Sequence, residues 1–414
     1  MRTAETYYPF LTSDTNPFFF PFGGEMHNPS SKRQTAPSKY IDGVFELLNI
    51  PAGEHNSGVI RRVGIISQVG GSQVDDFKKM IFNIAYDGEE TPSVSVPFAS
   101  LVGLERTSGV DGNWYPTDDT MTAAKWIPKS FQTPFWVTAT QIGLPADDTD
   151  QAHTLTYPIP YTNGIRIYLT RTDESYDPDF WCNLSYQDYL PVCWNRNLRF
   201  MAYRSDEEIA TPTAGAGTVI AVDGQTITFS GANFTTDDIG KYLIIGLIDH
   251  LIADVIDENT ILIGSNESFA KNTSLPSAYK ITAGHTWLDR PETESGYLAS
   301  FVVGLDGLSS DMLETNPRMR LNQDTTKDHI IYTGMEDILS CAFYFAILQQ
   351  NNLGGVVSWN SSTSEVSAYA CFADMPIYYK KGMKGFYPNV STQAVQCNFT
   401  SVFYKIAPIY IRNI

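Results

Sequence analysis

The sequence predicts an all-β protein: a double (tandem) jelly roll carrying an inserted small β-domain. Three observations point there. Strand-like runs of about 6–9 residues, set apart by Gly, Pro, Asn and Asp, fill residues 41–210. The texture changes over residues 211–282, and strand-like runs return over 283–414.

Residues 1–40 are rich in Pro, Phe and Ser without periodicity. They read as an extended N-terminal arm whose "NPFFFPFGG" docks on an apolar surface of its own domain or of a neighbour. In 41–210 the runs include "YIDGVFELLNIP", "SGVIRRVGIISQV", "KKMIFNIAYDG", "GIRIYLTRT" and "LRFMAYRS". "SVSVPF" alternates at period two, as a half-buried strand does. "YDGEETPS" sets Asp-Gly between two strands, a strong hairpin signal. Seven or eight such strands in one domain make a sandwich or jelly roll.

The insert opens on the Thr/Ala/Gly linker "TPTAGAG" and continues as short strands around "DG", "SG" and "EN" turns. It reads as a β-module of its own, placed between two larger β-domains. In 283–414 the strands are "GYLASFVVGL", "RMRLNQ", "DHIIYT", "GVVSWN", "SEVSAYACF" and "VQCNFTSVFYKIAPIYI". One helix is predicted at 335–349, where "MEDILSCAFYFAILQ" has helical length and an acidic start; a long strand is the alternative, because the apolar run is nearly continuous.

Composition narrows the function classes. The 414 residues suffice for two or three domains with a large core. Charged residues reach only 18% against about 25% in ordinary soluble domains, and aromatics reach 13%, which suits extensive buried surface, some of it between subunits. With 46 acids against 28 bases the net charge is −18, so direct nucleic-acid binding is excluded as the expectation. The five cysteines form no CxxC pair and read as reduced, mostly buried thiols of a chain folding in a cytoplasm. No signal peptide opens the sequence, and no run of 18 apolar residues predicts a transmembrane segment.

Motifs for cofactor or metal chemistry are missing. The six histidines show no HxH or HExxH spacing, and neither P-loop, GxGxxG nor GxSxG stands at a strand–helix junction. No cofactor and no metal site are expected. A carboxylate pair remains: Glu314 in "DMLETNP" and Glu336 in "YTGMEDIL". If the intervening chain forms a hairpin or short crossover, the two acids meet at one end of the second roll. Glycoside hydrolysis needs such a pair, about 5–5.5 Å apart for retention and about 6.5–9.5 Å for inversion. The plainer reading makes Glu314 a loop residue and lets Glu336 and Asp337 cap a helix N-terminus.

The segments "SGVIRRVGIIS", "YDGEETPSVSVPFASLVGL", "YPIPYTNGIRIYLT", "LRFMAYRS", "SGYLASFVVGL", "MLETNP" and "YTGMEDIL" occur in an order that resembles glycoside hydrolase family 172. The resemblance covers about 41–205 and 285–380 and is most specific at "YDGEETPSVSVP" and "TGMED". It implies a trimeric double jelly roll acting on fructofuranosides or arabinofuranosides, with Glu314 as nucleophile and Glu336 as acid/base. Three departures stand against activity: Met201 occupies the place of a family histidine, a Trp after "GVIRR" is replaced, and "AYACFADMPIYY" lacks the family's Arg and His. The insert is similar to small β-modules of bacteriophage tail, fibre and head proteins. The hydrolase family in turn resembles double jelly-roll viral major capsid proteins.

A scaffold kept while pocket residues are lost predicts a structural role. The expectation is a bacteriophage virion protein, foremost a capsid protein assembling as homotrimers. Its partners would be itself and other virion proteins, with a host glycan as a further candidate. It would be assembled in the host cytoplasm, and the insert would project outward. The alternative is a retaining furanosidase using Glu314 and Glu336, either cytoplasmic or carried on a virion.

Overall fold

The computed structural model describes residues 26–27, 32–34, 43–53, 57–67, 77–102, 130–132, 136–140, 151–174, 180–189, 197–246, 248–264, 268–306, 319–323, 327–332, 355–360, 365–371, 376–389 and 394–407. Their regular structure is almost entirely strand. Among them no helix is long and apolar enough to cross a membrane. The helix expected at 335–349 lies outside the described residues.

The first roll is two sheets. In one, β1 (Met26–His27) and β2 (Lys32–Gln34) pair with β12 (Phe180–Tyr189), and β12 pairs with β4 (Ser57–Ser67). The far side of β4 takes β9 (Gln151–Leu155) and β10 (Ile159–Tyr161), and a hairpin of β7 (Ser130–Gln132) and β8 (Trp136–Thr140) extends the sheet beyond β9. The other sheet runs β3 (Val44–Ile50), β11 (Ile165–Arg171), β5 (Met80–Tyr86), β6 (Val94–Pro97), followed by the short helix α1 (Phe98–Leu101). Lettered B to I along the chain, the sheets read B-I-D-G and C-H-E-F, the jelly-roll order that alternates consecutive strands between layers.

The second roll repeats that order. Its first sheet is β13 (Asn197–Ile209), β29 (Val395–Ala407), β22 (Gly296–Asp306), β26 (Glu365–Cys371), β25 (Gly355–Asn360), with β27 (Ile377–Tyr379) also on β22. Its second sheet is β21 (His285–Arg290), β28 (Met383–Tyr387), β23 (Met319–Gln323), β24 (Lys327–Tyr332).

Two boundaries differ from the sequence reading. Residues 197–209, read above as the end of the first roll, pair along their whole length with β29, so β13 is strand B of the second roll. The insert therefore fills the B–C connection inside the second roll rather than the space between rolls. Part of the N-terminal arm, in turn, is strand B of the first roll. Periodicity identifies a strand but carries no information about a partner some 200 residues away, which is why both assignments needed the pairing.

The insert contains β14 (Thr213–Ala214), β15 (Thr218–Asp223), β16 (Thr226–Ser230), β17 (Tyr242–Ile245), β18 (Ile248–Asp257), β19 (Thr260–Ile263) and β20 (Tyr279–Thr282). Ladder bonds run β14-β20-β17-β18-β19-β16-β15, and the amides of Gly215 and Val219 donate to the carbonyls of Tyr279 and Ser277. Those two bonds carry the edge back onto β20 and close a small barrel. Its core, including Ile227, Phe229, Leu243, Ile252 and Ile261, is separate from that of the rolls.

The expected Asp-Gly turn joins β5 to β6. Asp87 and Gly88 both adopt positive φ, at 54° and 80°, as this turn chemistry requires. Glu89 then accepts hydrogen bonds from the Tyr86 amide (3.1 Å) and the Ser93 hydroxyl (2.7 Å), fixing the remainder of the connection.

The hydrophobic core of the first roll, with Ile65, Phe82 and Ile167, extends onto the facing side of the second roll's first sheet, with Phe200, Val402 and Tyr404. Three tyrosines cross the boundary. The Tyr86 hydroxyl donates to the Phe200 carbonyl (2.9 Å), the Tyr404 hydroxyl to the Pro158 carbonyl (2.8 Å), and the Tyr157 and Ser300 hydroxyls lie 2.7 Å apart. Arg199 of β13 adds ion pairs to Asp87 and Glu89 and lies over the Tyr86 ring. Burial pushes the Asp87 carboxyl above its usual range against the pull of Arg199.

Two expectations follow from this packing. Tyr404→Phe leaves the Pro158 carbonyl without its donor, and should cost on the order of 1–3 kcal/mol in urea unfolding; an unchanged midpoint would show that the bond contributes nothing. His153, fully buried against Phe77, has its pKa lowered by burial to about 3. The unfolded chain takes up this proton near pH 6.5 and the folded chain only near pH 3, so stability present above 6.5 is lost as pH falls through that window. Going from pH 7 to pH 5 should therefore cost roughly 2 kcal/mol from this group alone, and His153→Leu should flatten the slope by that amount.

Candidate functional site

Glu314 and Glu336, the residues proposed from sequence, lie outside the described residues. Met201, standing where the resembling family has histidine, packs half-buried against the hydrophobic core. It takes part in that core as an apolar side chain and offers no proton-transfer group.

The polar cluster that the pairing does assemble sits at the neck of the insert. Ser205 and Glu207 are two residues apart on β13 and so share one face of the strand. His285 is the first residue of β21, where the chain returns from the insert. Its Nε2 lies 2.9 Å from Ser205 Oγ, and its Nδ1 lies 2.8 Å from Glu207 Oε2. Gly284 makes the approach possible: its φ is +70°, and a Cβ there would come within 2.8 Å of the Tyr242 ring of the insert.

Burial lowers the His285 pKa, with the hydrogen bond and charge of Glu207 opposing the shift. The neutral ring must then carry its proton on Nδ1, since a carboxylate only accepts, and Nε2 accepts from the Ser205 hydroxyl. Hydroxyl, imidazole and carboxylate thus stand in the order of an acyl-transfer triad.

The exposure is the reverse of what such chemistry needs. Glu207 is 63% exposed at its side chain, whereas the His285 side chain is 2% exposed and Ser205 is buried. The imidazole stacks on Phe399 at 5.7 Å between ring centroids, and Trp287 also stacks on Phe399 at 5.4 Å. A buried hydroxyl whose imidazole partner is stacked on an aromatic ring is shielded from an incoming carbonyl. What the three groups do is tie β13 to β21 where the insert leaves and re-enters the roll. Asn389 adds to this tie, donating to the carbonyls of Ile209 and Ala210 at 3.1 and 3.0 Å.

A second buried carboxylate, Glu294, is equally committed. Arg290 grips it through two bonds of 2.8 and 2.7 Å, the Tyr379 hydroxyl donates at 2.8 Å, and Lys405 lies 3.3 Å away. Burial raises its pKa, but Arg290, with Tyr379 and Lys405, outweighs burial and holds the carboxyl below its usual range. An ionised carboxylate so fully occupied holds the C–D connection of the second roll to β27 and β29, and does not serve as a proton donor. Among the described residues no group of three His, Cys, Asp or Glu side chains is arranged to hold a metal ion.

Local motif scanning misses the neck cluster because Ser205 and His285 are brought together only by the insert's closure, 80 residues apart in sequence. Ser205→Ala would leave Nε2 a buried acceptor without its donor, at a cost on the order of 1–3 kcal/mol in thermal or urea unfolding. The wild type should also fail to react with a fluorophosphonate probe; covalent labelling of Ser205 would contradict the purely structural assignment.

No protein-family model matches the chain, and no curated protein matches it. Among solved structures it is similar to a chain in the atomic structure of Sulfolobus Turreted Icosahedral Virus, at 10% identity over 94% of this chain and 93% of that one, with a TM-score of 0.40. It is also similar to the mavirus major capsid protein, at 9% identity over 98% of this chain and 92% of that one, with a TM-score of 0.24. These likenesses are remote, and the assignment of a double jelly roll rests on the strand pairing described above.

Proposed function

We propose that this chain is a structural protein of a virion, foremost a capsid protein of a bacteriophage, assembling as homotrimers with the insert projecting outward. The observation that carries the reading is the repetition of the B-I-D-G and C-H-E-F order in two rolls packed against each other through a hydrophobic contact layer. A unit of that kind is a rigid double block, and three of them around a threefold axis give a pseudo-hexagonal outline suited to tiling a shell. Packed sheets with short edges also resist the uncontrolled strand pairing that threatens a protein made in many copies. Strand β13 carries exposed Asp206, Glu207 and Glu208 along the border of its sheet, a charged edge of the type that blocks such pairing. The bacteriophage origin rests on the sequence texture of the insert. The described carboxylates with full coordination are all committed to structural contacts, so nothing in the described residues favours the furanosidase alternative.

Light scattering and electron microscopy of the purified chain test the proposal. Trimers at micromolar concentration, and closed or sheet-like assemblies at higher concentration, are the expected result, and a stable monomer would overturn it. Glu336→Gln and Glu314→Gln should leave assembly unchanged. Furanose release by the wild type, abolished by either substitution, would restore the enzymatic reading.

A further inference from the structure

The insert barrel has one outward face seated on the roll. Tyr242 and Ile244 of β17 and Asp249 of β18 point away from the barrel core yet are buried. Tyr242 lies against Gly284 at the neck, and the charge of Asp249 helps to raise the Tyr387 hydroxyl pKa, after burial and Cys397.

The opposite face crosses β18, β19, β16 and β15. The register sets Asp257 opposite Thr260, Thr260 opposite Thr228, and Thr228 opposite Ala221. At each end of this row the ladder slips by one residue, between Val255 and Asp257 on β18 and between Val219 and Ala221 on β15. The extra residues are Ile256 and Ile220. Both point outward, and at 57% and 61% they are the most exposed large hydrophobic residues among those described. A bulge turns one side chain out of the regular alternation. Here two bulges flank the same Thr row and each presents an isoleucine, across about 14 Å of sheet.

The surround is acidic. Asp254, Asp257 and Glu258 border the row on β18 and its turn, and Asp223 borders it on β15, already paired with Lys271 at 3.2 Å. Two such faces brought together would oppose like charges. Anionic phospholipid headgroups and nucleic acids are repelled for the same reason. Charge complementarity leaves a protein surface with an apolar centre ringed by Lys and Arg.

We propose that this face of the insert docks such a partner protein, with Ile220 and Ile256 as its apolar contacts and the acidic border setting orientation and rate of encounter. The proposal rests on the barrel's register and charge and stands independently of the virion reading.

The test uses the full chain and the double variant Ile220→Ser/Ile256→Ser, in which two exposed side chains change and unfolding should be unaltered. A display library of small helical domains with randomised surfaces serves as probe, selected on the wild type and counter-selected on the variant. The expected survivors carry Lys or Arg around Leu, Ile or Phe. They should bind the wild type at least about tenfold tighter than the variant, and weaken as salt is raised from about 50 to 300 mM. Survivors of acidic or neutral character, or none that distinguish the two chains, would overturn the proposal. So would sedimentation showing wild-type self-association that the double variant loses, because the occupant would then be a second copy.

Discussion

Everything distinctive about this molecule depends on the tyrosine hydroxyls that cross between its two rolls. Each roll has its own two sheets, and two sandwiches in sequence would ordinarily behave as separate domains with a wet, mobile boundary. Here Tyr86, Tyr157 and Tyr404 place rings in the shared core while their hydroxyls reach polar groups on the other side. A buried hydroxyl without a partner is costly, so each of these bonds fixes distance and angle as well as adding attraction. Arg199 extends the constraint outward by gripping the turn at Asp87 and Glu89. Turn, strand B of the second roll and inter-roll core are one mechanical unit, which is what a building block needs.

The same logic explains the neck. An insert in a B–C connection threatens to pull β13 and β21 apart, since these strands lie in different sheets of the second roll and share no ladder bonds. His285 bridges them with one nitrogen to Ser205 and the other toward Glu207. A group sequence familiar from catalysis is here a tie between sheets, and exposure decides between the two. Catalysis requires the hydroxyl at the surface and the carboxylate sheltered; this neck has the carboxylate in water and the hydroxyl inside.

The sequence was legible where structure is local. Alternation in "SVSVPF", the Asp-Gly signal and the changed texture of residues 211–282 correspond to β6, the Asp87–Gly88 turn and a closed barrel with its own core. It was illegible where structure is long-range. Nothing in "LRFMAYRS" reveals that it pairs with 395–407 instead of closing the domain before it, and nothing near residue 285 reveals that its histidine meets Ser205. Glu314 and Glu336 stand out in the sequence because one follows an apolar Met-Leu and the other a Thr-Gly turn within a family-like motif, while nothing local marks Glu294. Its partners come from β21, β27 and β29, and no local pattern gathers those strands.

The position of the insert is what joins fold to function. The corresponding B–C connection of the first roll spans only residues 35–43, against 210–284 in the second. Two rolls with one strand order thus differ most at a single loop, and among the described residues that loop alone carries a barrel with a face turned away from the body. On the proposed reading, the blocks of a shell would be alike while its outer surface is particular. Confining the difference to one B–C loop, clamped at the neck by His285 and Asn389, lets the surface vary while the packing between rolls stays fixed.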